Sequence, residues 1–281
     1  TAAFGVLAAF TAAMAAASPA RAGCADDAAP CQTPMGQYHI VLPPGAGPDH
    51  PVPALVFLHG AGGSGAGSLA NKGMVQAVLA HGFAFIGPDG AIAPGRTRPS
   101  WGFRPTTEDR RDEMNFLKGV VADAQARFGV DGSRVLMSGF SVGGSMATYL
   151  ACQDPTAFAA FAPVAGSFWR PHPTECAGPV RLFHTHGWRD TTVPLEGRPL
   201  RSGTIIQGDV FQAMELWRKT NGCTMLRPDS FSETGVFWRR KWEDCTPGTA
   251  LEFALHPGGH GVPAGWADMV LDWFETLPPT Q

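Results

Sequence analysis

The segment Val135-Leu136-Met137-Ser138-Gly139-Phe140-Ser141-Val142-Gly143-Gly144-Ser145-Met146-Ala147-Thr148-Tyr149-Leu150 decides the fold class. It runs from an apolar stretch, through the pattern G-x-S-x-G, into a run of small and apolar residues with helical character. The pattern alone is weak. With 12 serines and 35 glycines in 281 residues, about 0.2 matches arise by chance. Its setting adds the information, because a strand–turn–helix around a central serine presents the hydroxyl at the end of a sheet. Glycines on both sides remove Cβ atoms where the turn is crowded. The alternative is an ordinary Gly-rich turn.

On both sides, short apolar runs alternate with helical spacing. Strands are expected at 37–42, 54–58, 83–86, 134–137, 158–164, 180–185, 236–242 and 251–255. Helices are expected at 69–80, 108–128, from 143, at 207–219 and at 263–274. In the helix at 108–128, Met114, Leu117, Val121, Ala124 and Phe128 recur at its period. Alternating strands and helices imply βαβ units and a mostly parallel central sheet flanked by helices.

A serine hydroxyl becomes a nucleophile only when a base removes its proton, so a histidine and an orienting acid should follow Ser141. Asp190 lies just past the strand at 180–185, where sheet topology places active sites. Asp209 starts a helix, and Asp229 and Asp244 read as solvated. His260 sits in the flexible loop Pro257-Gly258-Gly259-His260-Gly261, whereas His256 continues a strand and reads as packed. His184 and His186 share a strand face but have no third ligand nearby in sequence, so structural roles are expected and no metal site is read. The loop His59-Gly60-Ala61-Gly62-Gly63-Ser64-Gly65 lacks the Lys-Ser/Thr ending of a phosphate-binding loop. It reads instead as an oxyanion loop, in which the backbone N–H groups of Ala61 and Val142 face a developing alkoxide. Trp101, Trp169 and Trp188 lie in loops near these residues and are candidates to line a pocket for an aromatic or flat ester, with core packing the alternative.

Composition sets the boundaries. The chain is 44% hydrophobic and 16% charged, with a net charge of −3, so disorder is disfavoured. Its 21 basic residues against 24 acidic ones leave no excess for nucleic acid. Gly 35 and Pro 25 indicate many tight loops. Residues 1–22 form an uncharged apolar segment ending in Pro19-Ala20-Arg21-Ala22, which reads as a signal peptide cut before Gly23; its basic start and initiator Met are absent, so it reads as truncated. A membrane anchor or a lipoprotein signal at Cys24 are the alternatives, and no stable membrane association is expected. Residues 23–281 are then expected to form one catalytic domain, secreted to the extracellular space or the periplasm. Six cysteines in an exported chain read as disulfides, and sequence neighbours suggest Cys24–Cys31, Cys152–Cys176 and Cys223–Cys245 among 15 connectivities.

The ordered set of motifs resembles the α/β-hydrolase superfamily, and within it the secreted polyhydroxybutyrate-depolymerase and feruloyl-esterase-like family. The matching segments are Leu58-His59-Gly60, Asp131-Gly132-Ser133-Arg134-Val135 leading into Gly139-Phe140-Ser141, and Phe158 to Gly166. His186-Gly187 with Asp190 and Val193-Pro194, Asn221-Gly222-Cys223, and Gly258-Gly259-His260 complete the set. The resemblance covers about 37–275. The family's usual Ser-Asn-Gly-Gly elbow reads Ser141-Val142-Gly143-Gly144 here, which keeps the backbone donor and changes the pocket wall. It implies a secreted serine esterase without a cofactor, with Ser141, His260 and Asp190 as the triad, acting on hydroxyalkanoate oligomers. Feruloyl or acetylxylan esters are the alternative substrates. A non-catalytic secreted binding module is the reading from a different class, and a peptidase on the same fold is another.

Overall fold

The computed structural model describes residues 23–104 and 110–279. The proposed signal peptide at 1–22 lies outside the described residues. Twelve strands and six α-helices follow one another as β1 (Cys31–Thr33), β2 (Gly36–Val41), β3 (Val52–Leu58), α1 (Gly65–Leu69), α2 (Lys72–Ala80), β4 (Ala84–Pro88), α3 (Glu113–Phe128), β5 (Val130–Phe140), α4 (Val142–Gln153), β6 (Ala160–Val164), β7 (Arg181–Gly187), β8 (Pro199–Leu200), β9 (Ile205–Ile206), α5 (Val210–Thr220), β10 (Ser230–Thr234), β11 (Phe237–Trp242), β12 (Ala250–His256) and α6 (Trp266–Glu275).

Ten of the strands form one sheet in the order β1-β2-β4-β3-β5-β6-β7-β12-β11-β10. The strands from β4 to β12 run parallel, and antiparallel strands finish both edges. This is the mostly parallel sheet flanked by helices expected from the alternating pattern, and it agrees with the α/β-hydrolase fold that the motif resemblance implies. Parallel strands covered on both faces must be apolar throughout, and β3 (VPALVFL) and β6 (AFAPV) meet that requirement. Along β3, Ala54, Val56 and Leu58 face the layer of α3, α4 and α5, while Leu55 and Phe57 face that of α1, α2 and α6.

Local chemistry sets the helix ends. Asp112 accepts from Asn115 N at 3.0 Å and caps α3, and Gly129 ends it in the left-handed region at φ 70°. Of the helix expected at 108–128, the part from Glu113 is helical and 110–112 are not, while 108 and 109 lie outside the described residues. The expected helix at 69–80 is two helices, because Asn71 accepts from Met74 N at 3.3 Å and starts α2 afresh. Trp266, Val270, Trp273 and Phe274 of α6 are buried on the second face of the sheet. Each such side chain contributes about 1.5–3 kcal/mol by burial.

Cys24–Cys31, Cys152–Cys176 and Cys223–Cys245 are all paired, the connectivity suggested by sequence neighbours. The first ties the segment at Cys24 to edge strand β1. The second links α4 to the loop before β7, and the third joins the end of α5 to the loop before β12.

Candidate active site

Four loops leave the carboxyl ends of β3, β5, β7 and β12 on one side of the sheet and converge. In parallel sheets these ends are where ligand sites form.

The turn after β5 carries Ser141 at φ 58°, ψ −120°, a strained conformation for a residue with a side chain. Two glycines make it possible. A Cβ on Gly139 would lie 2.5 Å from the Gly143 backbone, and one on Gly143 would lie 2.1 Å from Leu58 O. The neighbouring strand thus approaches the elbow to a distance that admits no side chain.

His260 Nε2 lies 3.0 Å from Ser141 Oγ, and its Nδ1 lies 2.7 Å from Asp190 Oδ2. The other carboxylate oxygen, Oδ1, accepts from the backbone N–H groups of Thr192 at 2.9 Å and Val193 at 2.8 Å. Burial of Asp190 pushes its pKa up. The His260 hydrogen bond and the Val193 N–H, with the favourable electrostatics of the two flanking imidazoles, outweigh that, so the carboxyl sits below its usual value and stays ionised. Phe140 packs its ring 4.7 Å from that of His260.

Behind Asp190, His186 Nε2 lies 2.8 Å from Val193 O and 3.5 Å from Asp190 Oδ2. A carbonyl only accepts, so Nε2 carries the proton and Nδ1 receives a hydrogen bond from His184 Nε2 at 3.1 Å. Burial depresses the pKa of both rings and keeps the pair neutral. His184 and His186 are thus hydrogen-bonded framework, as expected. His256 is buried in the strand end, where its Nδ1 accepts from Gly258 N at 3.1 Å and steadies the His260 loop.

The Gly-rich loop after β3 lies against the elbow: a Cβ on Gly60 would be 3.6 Å from Ser141 Cβ. Gly63 N donates to Gly60 O and Gly62 N donates to Pro99 O, both at 3.0 Å, which leaves Ala61 N–H outside that pattern. Val142 N–H belongs to the first turn of α4, whose donors lack intrahelical acceptors.

His59 anchors this loop, a role the sequence reading did not assign. Its Nδ1–H donates to Gly60 O at 2.7 Å and its Nε2 accepts from Gly90 N at 2.9 Å. Burial pushes its pKa down, so the ring stays neutral in that tautomer. Asp89 holds the far end of the loop by accepting from Gly65 N at 2.6 Å and from Gln37 Nε2 at 2.7 Å. Burial would raise its pKa, but His39, Gln37 and Gly65 N lower it to about 2. The histidine before the Gly-rich loop and the aspartate ending a strand were the available signals, but their partners lie 31 and 24 residues away.

The three tryptophans separate. Trp101 is only 1% exposed, and its Nε1 donates to His59 O at 2.9 Å. It therefore supports the Gly-rich loop as a buried residue and is no part of the groove described next. Trp188 is 58% exposed on the turn before Asp190 and is no part of the groove described next. Trp169 does line a groove, of about 1750 Å³, bounded by 169–174, the β8–β9 hairpin and α5. Its indole N–H lies 3.3 Å from Ser145 Oγ, one helical turn along α4 from Ser141.

Residues 45–206 match the phospholipase/carboxylesterase family of α/β-hydrolases. A protein of Nocardia uniformis subsp. tsuyamanensis named "Putative esterase NocK" is 33% identical over 81% of this chain and 71% of its own length. Feruloyl esterase B of Piromyces equi is 27% identical over 79% of this chain, which spans 42% of that longer protein. Among solved structures, an acetyl xylan esterase from Aspergillus awamori superposes with a TM-score of 0.61 at 16% identity, over 85% of this chain and 93% of its own. That likeness is one of fold.

Proposed function

Because the chain belongs to the phospholipase/carboxylesterase family of α/β-hydrolase esterases, we propose that Ser141, His260 and Asp190 are its catalytic triad and that it cleaves esters carried on plant cell-wall polysaccharides. The observation that carries the triad is the continuous line from Asp190 Oδ2 to His260 Nδ1 at 2.7 Å and from His260 Nε2 to Ser141 Oγ at 3.0 Å.

Ser141 Oγ attacks the ester carbonyl as His260 Nε2 takes its proton. The negative charge that develops on the carbonyl oxygen is met by the N–H groups of Ala61 and Val142, each such donor being worth about 3–4 kcal/mol at the transition state. Collapse of the tetrahedral species passes the proton from His260 to the departing alcohol and leaves Ser141 acylated. Water then repeats the sequence and frees the acid. Asp190 keeps the Nδ1 proton on His260, so Nε2 is the atom facing the serine.

The relative named feruloyl esterase supports the polysaccharide-ester reading. Hydroxyalkanoate oligomers, which the sequence motifs favour, are the second reading. Three disulfides support export. Methyl ferulate, acetylxylan and soluble hydroxybutyrate oligomers assayed side by side rank the substrates. Ser141→Ala is expected to abolish turnover of p-nitrophenyl acetate by at least about 10³-fold. Retention of wild-type turnover by that variant would overturn the assignment.

A further inference from the structure

The groove beside Trp169 is larger than a small ester needs, since pockets for drug-sized ligands usually measure about 300–1,000 Å³. It reaches Tyr149 on α4, the helix that Ser141 precedes as its N-cap. Trp169 meets Ser145 through its indole N–H and Tyr149 OH through its backbone N–H at 3.0 Å. Ser145 and Tyr149 lie four and eight residues beyond Ser141, the N-cap of α4, so the helix rise places these contacts about 6 and 12 Å from it. That is the length of one to three sugar rings or hydroxyacyl units.

The charge of the groove opposes that of the molecule. The chain carries −3 overall, yet among the described residues the groove wall holds Arg170, Arg218 and Lys219, with Arg104 at one end, and the carboxylate Glu215. Among the described residues no ion pair holds Arg170, Arg218 or Lys219. Burial, followed by the nearby cations Arg110, Arg201 and Arg96, lowers the pKa of Arg104, so positive charge is crowded at this end of the site. Apolar surface lies between the charges: Met225 is 40% and Leu226 82% exposed at the rim. Such a surface suits a chain with an apolar body and anionic substituents.

We propose that this groove is a subsite for a carboxylate carried on the substrate's chain, one to three units beyond the scissile ester. The proposal rests on the esterase reading above and names the substrate class within it. Two sources supply such a chain: an ester on a uronate-bearing oligosaccharide, or a hydroxyalkanoate oligomer with its free terminal acid.

Two matched pairs test it. One compares acetylated xylo-oligosaccharides with and without a glucuronic acid branch, and the other a hydroxybutyrate trimer with its terminal methyl ester. The wild-type kcat/KM is expected to favour the carboxylated member of at least one pair by about fivefold or more, mostly through KM, and the pair that responds identifies the source. In 0.5 M NaCl the preference should fall towards unity, because exposed charges are then screened. The double variant Arg170→Glu, Lys219→Glu, changed at two exposed positions, should erase or reverse the preference ratio. Equal kcat/KM within both pairs, or a preference untouched by salt and by the double variant, would overturn the subsite. Ser141→Ala protein titrated with pentagalacturonate, read by tryptophan fluorescence, separates this failure from failure of the esterase reading. Salt-sensitive binding, with the wild-type protein also inert towards p-nitrophenyl acetate, would keep the subsite and remove the esterase. Turnover of p-nitrophenyl acetate without discrimination or binding would do the reverse.

Discussion

Replacing Asp190 by Asn changes one atom, and the structure fixes where that atom goes. Oδ1 accepts from two backbone N–H groups, those of Thr192 and Val193. An amide nitrogen cannot accept, so Asn must leave its carbonyl oxygen there and put its NH₂ at the Oδ2 position, 2.7 Å from His260 Nδ1. The neutral imidazole then has to accept at Nδ1 and carry its proton on Nε2. That proton faces Ser141 Oγ, so the base is lost although nothing has moved. Holding the wrong tautomer costs roughly 10⁴-fold in kcat, or about 5 kcal/mol. Burst and steady-state hydrolysis of p-nitrophenyl acetate measure the loss, and thermal unfolding should be shifted by only a few degrees. Asp190→Ala is the control: it orphans the Thr192 and Val193 N–H groups at about 1–3 kcal/mol each when buried and should unfold at a clearly lower temperature than the Asn variant. If Asp190→Asn kept kcat within tenfold of the wild type, the orienting role given to this carboxylate would be refuted.

Three further outcomes follow from other parts of the frame. His59→Ala removes the acceptor of Gly90 N–H and the donor to Gly60 O, so kcat should fall by about 10- to 100-fold with KM little changed, and an unaltered kcat would show that the loop holds its shape without the ring. The folded pKa of Asp89, about 2, lies below its unfolded value of 3.8; its contribution to stability is therefore complete above about pH 4 and is lost as pH falls from 4 towards 2. Urea titrations at pH 3 and 6 should accordingly show a smaller acid penalty for Asp89→Asn than for the wild type. Cys152–Cys176 and Cys223–Cys245 close loops of 24 and 22 residues, each stabilising by roughly 3 kcal/mol on the chain-entropy account, so dithiothreitol should lower the melting temperature markedly, and an unshifted melt would refute that estimate.

The residues of the proposed triad were legible where the chemistry is written in short range. The run around Ser141 names its strand, turn and helix, and the positions of Asp190 and His260 at strand ends follow from the same alternation. What escaped is held by distant partners. Trp101 looks like a loop aromatic until His59 O is found 2.9 Å from its indole nitrogen, 42 residues away. The edge strand β10 (SFSET) has no alternation to betray it, being exposed or half-exposed throughout and fixed only by pairing with β11 across the turn at Gly235. Asn71 interrupts a helical pattern that hydrophobic spacing carries straight through, because a cap competes with continuation at a single residue.

The anchoring of His59, with both ring nitrogens engaged by backbone, has a practical reach. The proposed triad and its Gly-rich loop are fastened to the ends of the sheet, whereas the groove wall is built from 169–174, the β8–β9 hairpin and the segment after α5. Those wall segments can be varied around Trp169, which is kept because its N–H groups meet Ser145 and Tyr149 of α4. A library that varies only the wall would therefore sample substrate preference on a constant catalyst, and each member's turnover of a minimal ester would report whether the graft had stayed local.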